Sequence, residues 1–566
     1  MKRIVGKLFM ALLILYLTAC GGEKEGEGVS GSAKVPAYPE SVKENVAKKS
    51  EDKNISIIEE TCQKSSEKMV KLCNEDFLQV MMANDYLSEW IEEEGDSGKS
   101  VKLCEASWQT LELTKEFQKN YPKLDEKLKA MNKEANQYNR EFIDAIVALA
   151  TEHYEDSQES FGTYYNNSSY SLVRGDKYIL SIQENAGEYT GGAHGMYGTR
   201  GINFDPVTGE ELQLTDVLTT TDDLPAMIAN KIMEEYADEY ETFETLEEYL
   251  EENYKPEDYQ WVMGYGGITI FFNPYEIASY SMGILKVDIG FLEMPELFVE
   301  KYTQSPESGY LMEIPLDKEI VLDINPVDNK KDKLFISTYY AMAEDAEYGI
   351  HRMSIVLNDS IYEEEEYYGY EFKAYLACVK AEETFKYYLY VESVSENDFR
   401  TFHIYDLNHG MVQVKEQIGG LGFSGYLDDS VGEYGVYYYF VPNNAQSFEL
   451  FSRMEILGTW SGRRMYSVHP EDGMPKPSED YYYLSHTSYP IVSLIPLEVM
   501  MLPGETKVEL PAGTKFYFLR TDGKSYVDAR LEDGRECRIY VEFNGWEQSI
   551  NGIDQWECFE NLPYAG

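Results

Sequence analysis

The sequence predicts an α+β central domain, with helices packed on an antiparallel sheet, followed by a β-rich half that ends in a small barrel. Three observations lead there. Apolar residues recur at three and four from Leu124 to Tyr154, in one stripe of Leu124, Leu128, Met131, Ala135, Tyr138, Phe142, Ile146 and Leu149, the mark of an amphipathic helix. Beyond residue 315 the chain is made of short aromatic or alternating runs separated by acidic, Asn and Gly turns. Near the end, close-set strand patterns are joined by Pro511-Ala512-Gly513, Thr521-Asp522-Gly523 and Glu532-Asp533-Gly534, residues that tight turns require.

At the start, Lys2, Arg3 and Lys7 precede a short apolar run from Leu8 to Tyr16, too brief to span a bilayer comfortably, and the block Leu17-Thr18-Ala19-Cys20. This arrangement resembles the lipobox of bacterial lipoproteins. The resemblance implies a signal peptide over 1–19, cleavage before Cys20, covalent lipid (palmitate) on that cysteine, and a protein tethered to the outer face of the cytoplasmic membrane. Residues 20–50, rich in Gly, Glu, Lys and Ser, read as a flexible spacer. No later stretch has the length and apolarity of a transmembrane helix, so the lipid is the expected membrane contact. Over 51–100, Ile58, Cys62, Met69, Leu72, Cys73, Phe77, Val80 and Met81 recur at helical spacing and predict a helical segment.

The α+β domain is expected over 101–305. Val101 to Leu113 has strand periodicity with an irregularity near Glu105, and Tyr121-Pro122 ends it. After the long helical stripe, strands are expected at Tyr170–Val173 and Tyr178–Gln183. A glycine-rich segment follows, Tyr189-Thr190-Gly191-Gly192-Ala193-His194-Gly195, and then a turn built from Asp205-Pro206 and Thr208-Gly209. Thr215 or Asp216 is placed to cap a helix over Leu224–Tyr240; a second helix is expected at 246–252, and strands at 266–272 and 284–289 surround Asn273-Pro274-Tyr275.

The order Tyr-Pro-Lys-Leu (121–124), Gly-Gly-Ala-His, Asn-Phe-Asp with Thr-Gly, Leu-x-Leu-x-Asp, a helix and Pro-Tyr resembles an extracellular domain. That domain is shared by the anti-sigma factor RsiV and the non-catalytic part of the peptidoglycan deacetylase PdaC. The likeness covers about residues 100 to 300. It implies an α+β fold and an envelope ligand, peptidoglycan or lysozyme. An RsiV-type protein carries an intracellular segment and a transmembrane helix, where this chain has a lipobox and spacer. A PdaC-type deacetylase carries a metal-dependent catalytic domain, and no Thr-Phe-Asp-Asp motif follows residue 300.

Candidate binding residues are Tyr189, Gly191, Gly192, His194, Asp205 and Asp216. An imidazole beside carboxylates can act as a general base, but only with a nucleophile in reach, and no serine or cysteine qualifies. A turn or a ligand contact is the expected role, and no catalytic residue is assigned.

The β-rich domain over 315–490 fits a sandwich or an irregular sheet better than a propeller, for which no exact internal repeat exists. Glu363-Glu364-Glu365-Glu366 reads as a solvated acidic loop, because four consecutive carboxylates cannot supply six to eight oxygens around one calcium ion. Residues 491–566 resemble a small bacterial SH3-like barrel, a module often used to bind cell-wall material. Of seven cysteines, Cys537 and Cys558 lie close in sequence within one small C-terminal module and are the disulfide candidate, whereas the eleven-residue separation of Cys62 and Cys73 in a helical pattern does not place those two side by side. No CxxC or HxxxH pattern occurs, so neither a metal site nor a cofactor is predicted.

Lys plus Arg number 49 against 101 Asp plus Glu, a formal charge of −52 that becomes −55 once Lys2, Arg3 and Lys7 leave with the signal peptide. Such a field repels nucleic acid and anionic lipid and favours basic partners. The expected protein is a lipid-anchored, extracellular binder of peptidoglycan or of a cationic protein such as lysozyme. A glycan-acting hydrolase or transferase, or a scaffold of an exported complex, is the alternative.

Overall fold

The long apolar stripe forms one helix, Pro122–Asp156, opened by proline at a position where its missing N–H costs nothing. The computed structural model describes residues 76–92, 100–236, 243–324 and 331–564, apart from short stretches at 342–349, 368, 370, 396–398, 424–438, 441, 486, 488 and 505. Cys20, the leader, the spacer and most of the segment expected to be helical lie outside the described residues.

Five strands make the central sheet: β1 (Val80–Glu92), β2 (Ser100–Leu113), β3 (Tyr164–Gly175), β4 (Leu180–Tyr189) and β5 (Met196–Phe204), with the short strand Tyr439–Phe440 added beside β1. β1 overturns the helical expectation for 80–92. Leu78, Val80 and Met82 alternate at a period of two and are buried in one core cluster, and pairing with β2 along the whole length of β1 decides for the strand. The sheet also departs from a purely antiparallel pattern: β2 and β3 run parallel, because the long helix is the crossover between them. The irregularity expected in β2 is present as a register shift opposite Glu89 and Trp90.

The helix buries Leu124 and Leu128 against Leu111, Leu113, Ile182 and Phe204, and Phe142, Ile143 and Ile146 against Leu103 and Trp108. Its stripe drifts as a 3.6-residue repeat must. Tyr138, expected inside, is exposed, while Asn139 is buried and accepts from Asn166 Nδ2 at 2.7 Å. Beyond Ser107 β2 parts from β3, and Asn132 of the helix takes over the backbone of Leu111, donating to its carbonyl and accepting from its N–H.

A second layer carries β6 (Gln260–Met263), β7 (Gly267–Phe272) and β8 (Leu285–Gly290), an antiparallel sheet packed on the helices Leu224–Glu235 and Leu246–Asn253. β6 is held to β5 by Asn203, whose Nδ2 donates to the Trp261 carbonyl at 2.7 Å. Gly201 is what allows that approach, since a Cβ there would lie 1.7 Å from the same oxygen.

The β-rich half contains a sandwich. One sheet is β10 (Glu319–Leu322), β11 (Asp332–Ala341), β12 (Ile350–Leu357) and β13 (Ser360–Tyr367). The facing sheet holds β14 (Glu371–Ala381), β15 (Thr384–Val394), β16 (Arg400–Asp406) and β17 (Gln413–Gly419), with β9 (Gly309–Ile314) at its edge. Leu334, Ile336, Met353 and Ile355 meet Leu376, Leu389, Val391 and Tyr405 between them. The second sheet is buried on its other face too, where Tyr375, Tyr388, Tyr390 and Phe402 pack on Phe423, Phe448 and Tyr466. Among the described residues, Tyr375, Tyr388, Tyr390 and Tyr405 are therefore core, whereas Tyr339 is exposed. Glu363–Glu366 lies in β13 rather than in a loop. β13 is an edge strand, and charge on an edge blocks further strand pairing.

The C-terminal strands do not close into a separate barrel among the described residues. Lys515–Thr521, Tyr526–Leu531, Glu536–Tyr540, Leu497–Leu502 and Thr506–Leu510 form consecutive members of a twelve-stranded sheet. That sheet continues through Tyr482–Leu484 into Thr459–Val468 and Phe448–Glu455. Pairing of Tyr482 with Thr521 and of Tyr483 with Arg520 joins the two sides of the expected boundary at 490, so the edge that would have closed a barrel is used by a neighbour. Cys537 and Cys558, the expected disulfide, are both buried free thiols. Cys537 sits within a strand paired on both sides, whereas the Cys558 Sγ contacts the Ile553 carbonyl at 3.7 Å; proximity in sequence does not direct one sulfur at the other.

Candidate ligand platform

The glycine-rich segment joins β4 to β5, and Gly191 and Gly192 both take φ of +98°, the left-handed region that glycine enters without penalty. At Gly191 a side chain would also collide with the Tyr164 hydroxyl, 2.6 Å from an added Cβ. This turn delivers His194 to the surface.

There it meets the loop that follows β7. The His194 ring lies over Tyr280, ring centroids 4.2 Å apart, and Tyr280 in turn contacts Tyr197 at 5.4 Å and Tyr275 at 5.6 Å. The Gly195 carbonyl accepts from the Tyr280 hydroxyl at 2.8 Å and from His194 Nδ1 at 2.9 Å, using both lone pairs. A carbonyl can only accept, so Nδ1 carries the proton, and in the neutral ring Nε2 is the acceptor. Tyr165 and Tyr189 extend the aromatic row, 6.0 Å apart.

The loop from Asn273 to Gly283 is clamped rather than loose. Asn273 imitates a strand partner, accepting from the Thr199 N–H at 2.6 Å and donating to its carbonyl at 3.1 Å. Glu276 accepts from the Asn273 N–H; burial pushes its carboxyl above the usual range against that hydrogen bond. Glu188, on β4, is likewise raised by burial while bonded to Tyr138. Tyr275 is held at φ +72° and is 59% exposed. A bulky residue in that region is strained, and such strain concentrates at ligand clamps. The result is a rigid, exposed surface of rings with one imidazole acceptor, suited to stacking and hydrogen bonding.

Two of the expected residues are elsewhere. Asp205 follows the far end of nine-residue β5, about 30 Å from His194 at ~3.4 Å per residue. It accepts from the N–H groups of Val207 and Thr208 and pairs with Lys301 at 2.8 Å. Burial alone would raise its pKa, but Lys301 and these N–H groups hold it below the usual range. Asp216 does not cap the helix at 224. It closes a capping box with Gln213 on the short helix Leu214–Val217. Both aspartates shape turns. Tyr189, Gly191, Gly192 and His194 do come together, joined by Tyr197, Tyr275 and Tyr280, which the sequence reading missed. Asn273-Pro274-Tyr275 was visible there as a motif, but 80 residues from His194 nothing local signals the meeting.

Residues 110–197 match the family model described as Deacetylase PdaC, and residues 215–291 match DUF3298, described as a protein of unknown function. The chain therefore carries the domain type that the motifs resembled. A DUF3298 family member from Bacteroides fragilis is a solved structure with 21% identity and a TM-score of 0.29, covering 40% of this chain and 96% of its own. A second, from Pseudomonas aeruginosa, has 17% identity and a TM-score of 0.26, covering 41% and 99%. No curated protein matches the chain. His194 falls in the first matched stretch and Tyr275 and Tyr280 in the second, so the platform is built where the two meet.

Proposed function

We propose that this protein is a lipid-anchored receptor of the bacterial cell envelope that binds peptidoglycan glycan strands, without catalysis, on the platform around His194. The observation that carries the reading is the contact of His194 with Tyr280, which draws two distant motifs into one exposed aromatic surface. Aromatic faces stack on the apolar face of a sugar ring, while Nε2 of His194 accepts from a hydroxyl. The name of the family matched over 110–197 supports an envelope setting. The nearby carboxylates Glu188 and Glu276 are committed to Tyr138 and Asn273, which argues for binding over acid–base chemistry. A basic protein such as lysozyme is the second reading, favoured by the charge of −52.

The test is co-sedimentation of the chain from Cys20 onward with purified peptidoglycan, beside a lysozyme pull-down, at about 50 mM and about 300 mM salt. Retention by peptidoglycan at both salts that falls in His194→Ala and Tyr275→Ala is expected. Retention by lysozyme alone moves the function to the second reading, and retention by neither removes both. For the anchor, Cys20→Ala is expected to release the protein from membranes and abolish labelling by a fatty-acid probe; unchanged labelling would refute it.

A further inference from the structure

A second exposed aromatic surface lies at the opposite end of the chain. Glu542–Asn544, Glu547–Ile550 and Ile553–Asp554 form a small three-stranded sheet of their own. The first hairpin turns on Gly545-Trp546, with Gly545 at φ +66°, the arrangement of a two-residue turn with glycine first. It leaves Trp546 96% exposed at the tip. The second turn, Asn551-Gly552, has both residues at positive φ and leads through Ile553 and Asp554 to Trp556. Trp556 is also exposed and pairs with exposed Tyr564, ring centroids 5.3 Å apart; Phe543 is exposed on the first strand. Isolated surface rings are ordinary, but here two tryptophans, a tyrosine and a phenylalanine stand exposed within 22 residues, on one small sheet and the segment that follows it.

The charge around the rings is one-sided. From 542 to 564 the sequence contains Glu542, Glu547, Asp554, Glu557 and Glu560 and neither lysine nor arginine. Lys507, beside Tyr540 and Asn551, is paired with Glu498 at 2.6 Å. Rings offer stacking and attract cations through their faces, and the carboxylates accept charged hydrogen bonds. A ligand that satisfies both has an apolar face and an ammonium group in the same unit. We propose that the surface of Trp546, Trp556 and Tyr564 binds glycans of amino sugars whose amines are unacylated. The pyranose face lies on a ring while the ammonium donates to a neighbouring carboxylate. A lysine-rich peptide would meet the same carboxylates but brings no sugar face, and an anionic lipid surface would be repelled. This site is independent of the one around His194.

Calorimetric titration of the chain from Cys20 onward with a hexamer of β-1,4-linked glucosamine tests it, beside the N-acetylated hexamer and polylysine. The glucosamine hexamer is expected to bind, with Trp546→Ala and Trp556→Ala each weakening it about tenfold, as lost cation contacts at rings do. Glu547→Gln with Glu557→Gln is expected to weaken it and flatten its salt dependence, and His194→Ala to leave it unchanged. Both tryptophans are exposed, and a thermal midpoint equal to that of the parent separates lost binding from lost fold. Absence of glucosamine binding, equal binding of the N-acetylated hexamer, tryptophan variants at parental affinity, or polylysine binding that shows the same tryptophan dependence would each overturn the proposal.

Discussion

Arg174 and Asp176 form an ion pair with no exposure on either side chain, Nε to Oδ2 at 2.7 Å, at the end of β3. The rest of the guanidinium donates to the carbonyls of Tyr302 and Gln304, both at 2.7 Å, and lies over the Tyr265 ring. Asp176 accepts from the N–H groups of Tyr178 and Ile179 through its other oxygen. Tyr265 stacks on Tyr310 of β9, so this pair sits where the α+β layers meet the sandwich. Asp176→Ala would leave a buried guanidinium without its counter-charge, a loss of about 3–5 kcal/mol. A urea denaturation series should show it, with the double variant Arg174→Met, Asp176→Ala losing less than Asp176→Ala alone.

Tyr275 carries strain that glycine would release. A left-handed non-glycine residue costs roughly 1–2 kcal/mol, and a glycine substitution returns about 0.4–1 kcal/mol through the unfolded chain. Tyr275→Gly should therefore be as stable as the parent or up to about 1 kcal/mol more stable while losing peptidoglycan retention. A thermal midpoint that falls by several degrees would show that the ring supports the fold instead.

Gly201 should tolerate no side chain. An added Cβ meets the Trp261 carbonyl at 1.7 Å and its backbone nitrogen at 2.9 Å, and neither is a flexible side-chain end. Gly201→Ala must push β6 off β5, a cost of about 3 kcal/mol or more. Because Asn203 holds the same carbonyl, the variant should also lose binding at His194, two strands' ends away, through displacement of the Asn273 clamp.

His403, buried in β16, has its pKa pushed down to about 4 by burial, from an ordinary value near 6.5. Below about pH 6.5 the unfolded chain takes up a proton that the folded chain refuses, so stability falls as pH drops, and the loss is complete near pH 4. At ~1.4 kcal/mol per unit this amounts to about 3 kcal/mol. Asp406 and Asp472, both held low by hydrogen bonds and nearby cations against the effect of burial, lose stability toward still lower pH. His403→Gln separates the contributions: its stability should be flatter than the parent's between pH 6.5 and 4, and an identical slope would refute the assignment.

Some of this fold was legible because it is encoded over a few neighbouring residues. The stripe from Leu124 to Ile146 is a helix, Asp205-Pro206 and Thr208-Gly209 make a turn, and strands of the β-rich half form at the short aromatic or alternating runs. Expectation and structure differ where two periods compete over one run, as between Phe77, Val80 and Met81 at helical spacing and Leu78, Val80 and Met82 at a period of two, or where partners are remote. The turn signals at 513, 523 and 534 were correctly placed, yet they say nothing about which strand takes the free edge beside Lys515–Thr521. The candidate site divides in the same way: the Gly-Gly-Ala-His turn could be read, whereas Tyr280 could not be assigned to it.

The sequence by itself determined the composition-level properties of this protein, its strong acidity and its aromatic β-rich half, together with the likeness of its central region to the families matched over 110–197 and 215–291. Only the tertiary structure decided that the last strands extend a shared sheet, that Cys537 and Cys558 stay apart, and that His194 meets Tyr280 rather than Asp205. The reason is physical. Turn geometry and side-chain period are fixed by neighbours a few bonds away, but strand edges offer nearly equivalent backbone donors and acceptors. The choice among them is made by side-chain packing between residues far apart in the chain.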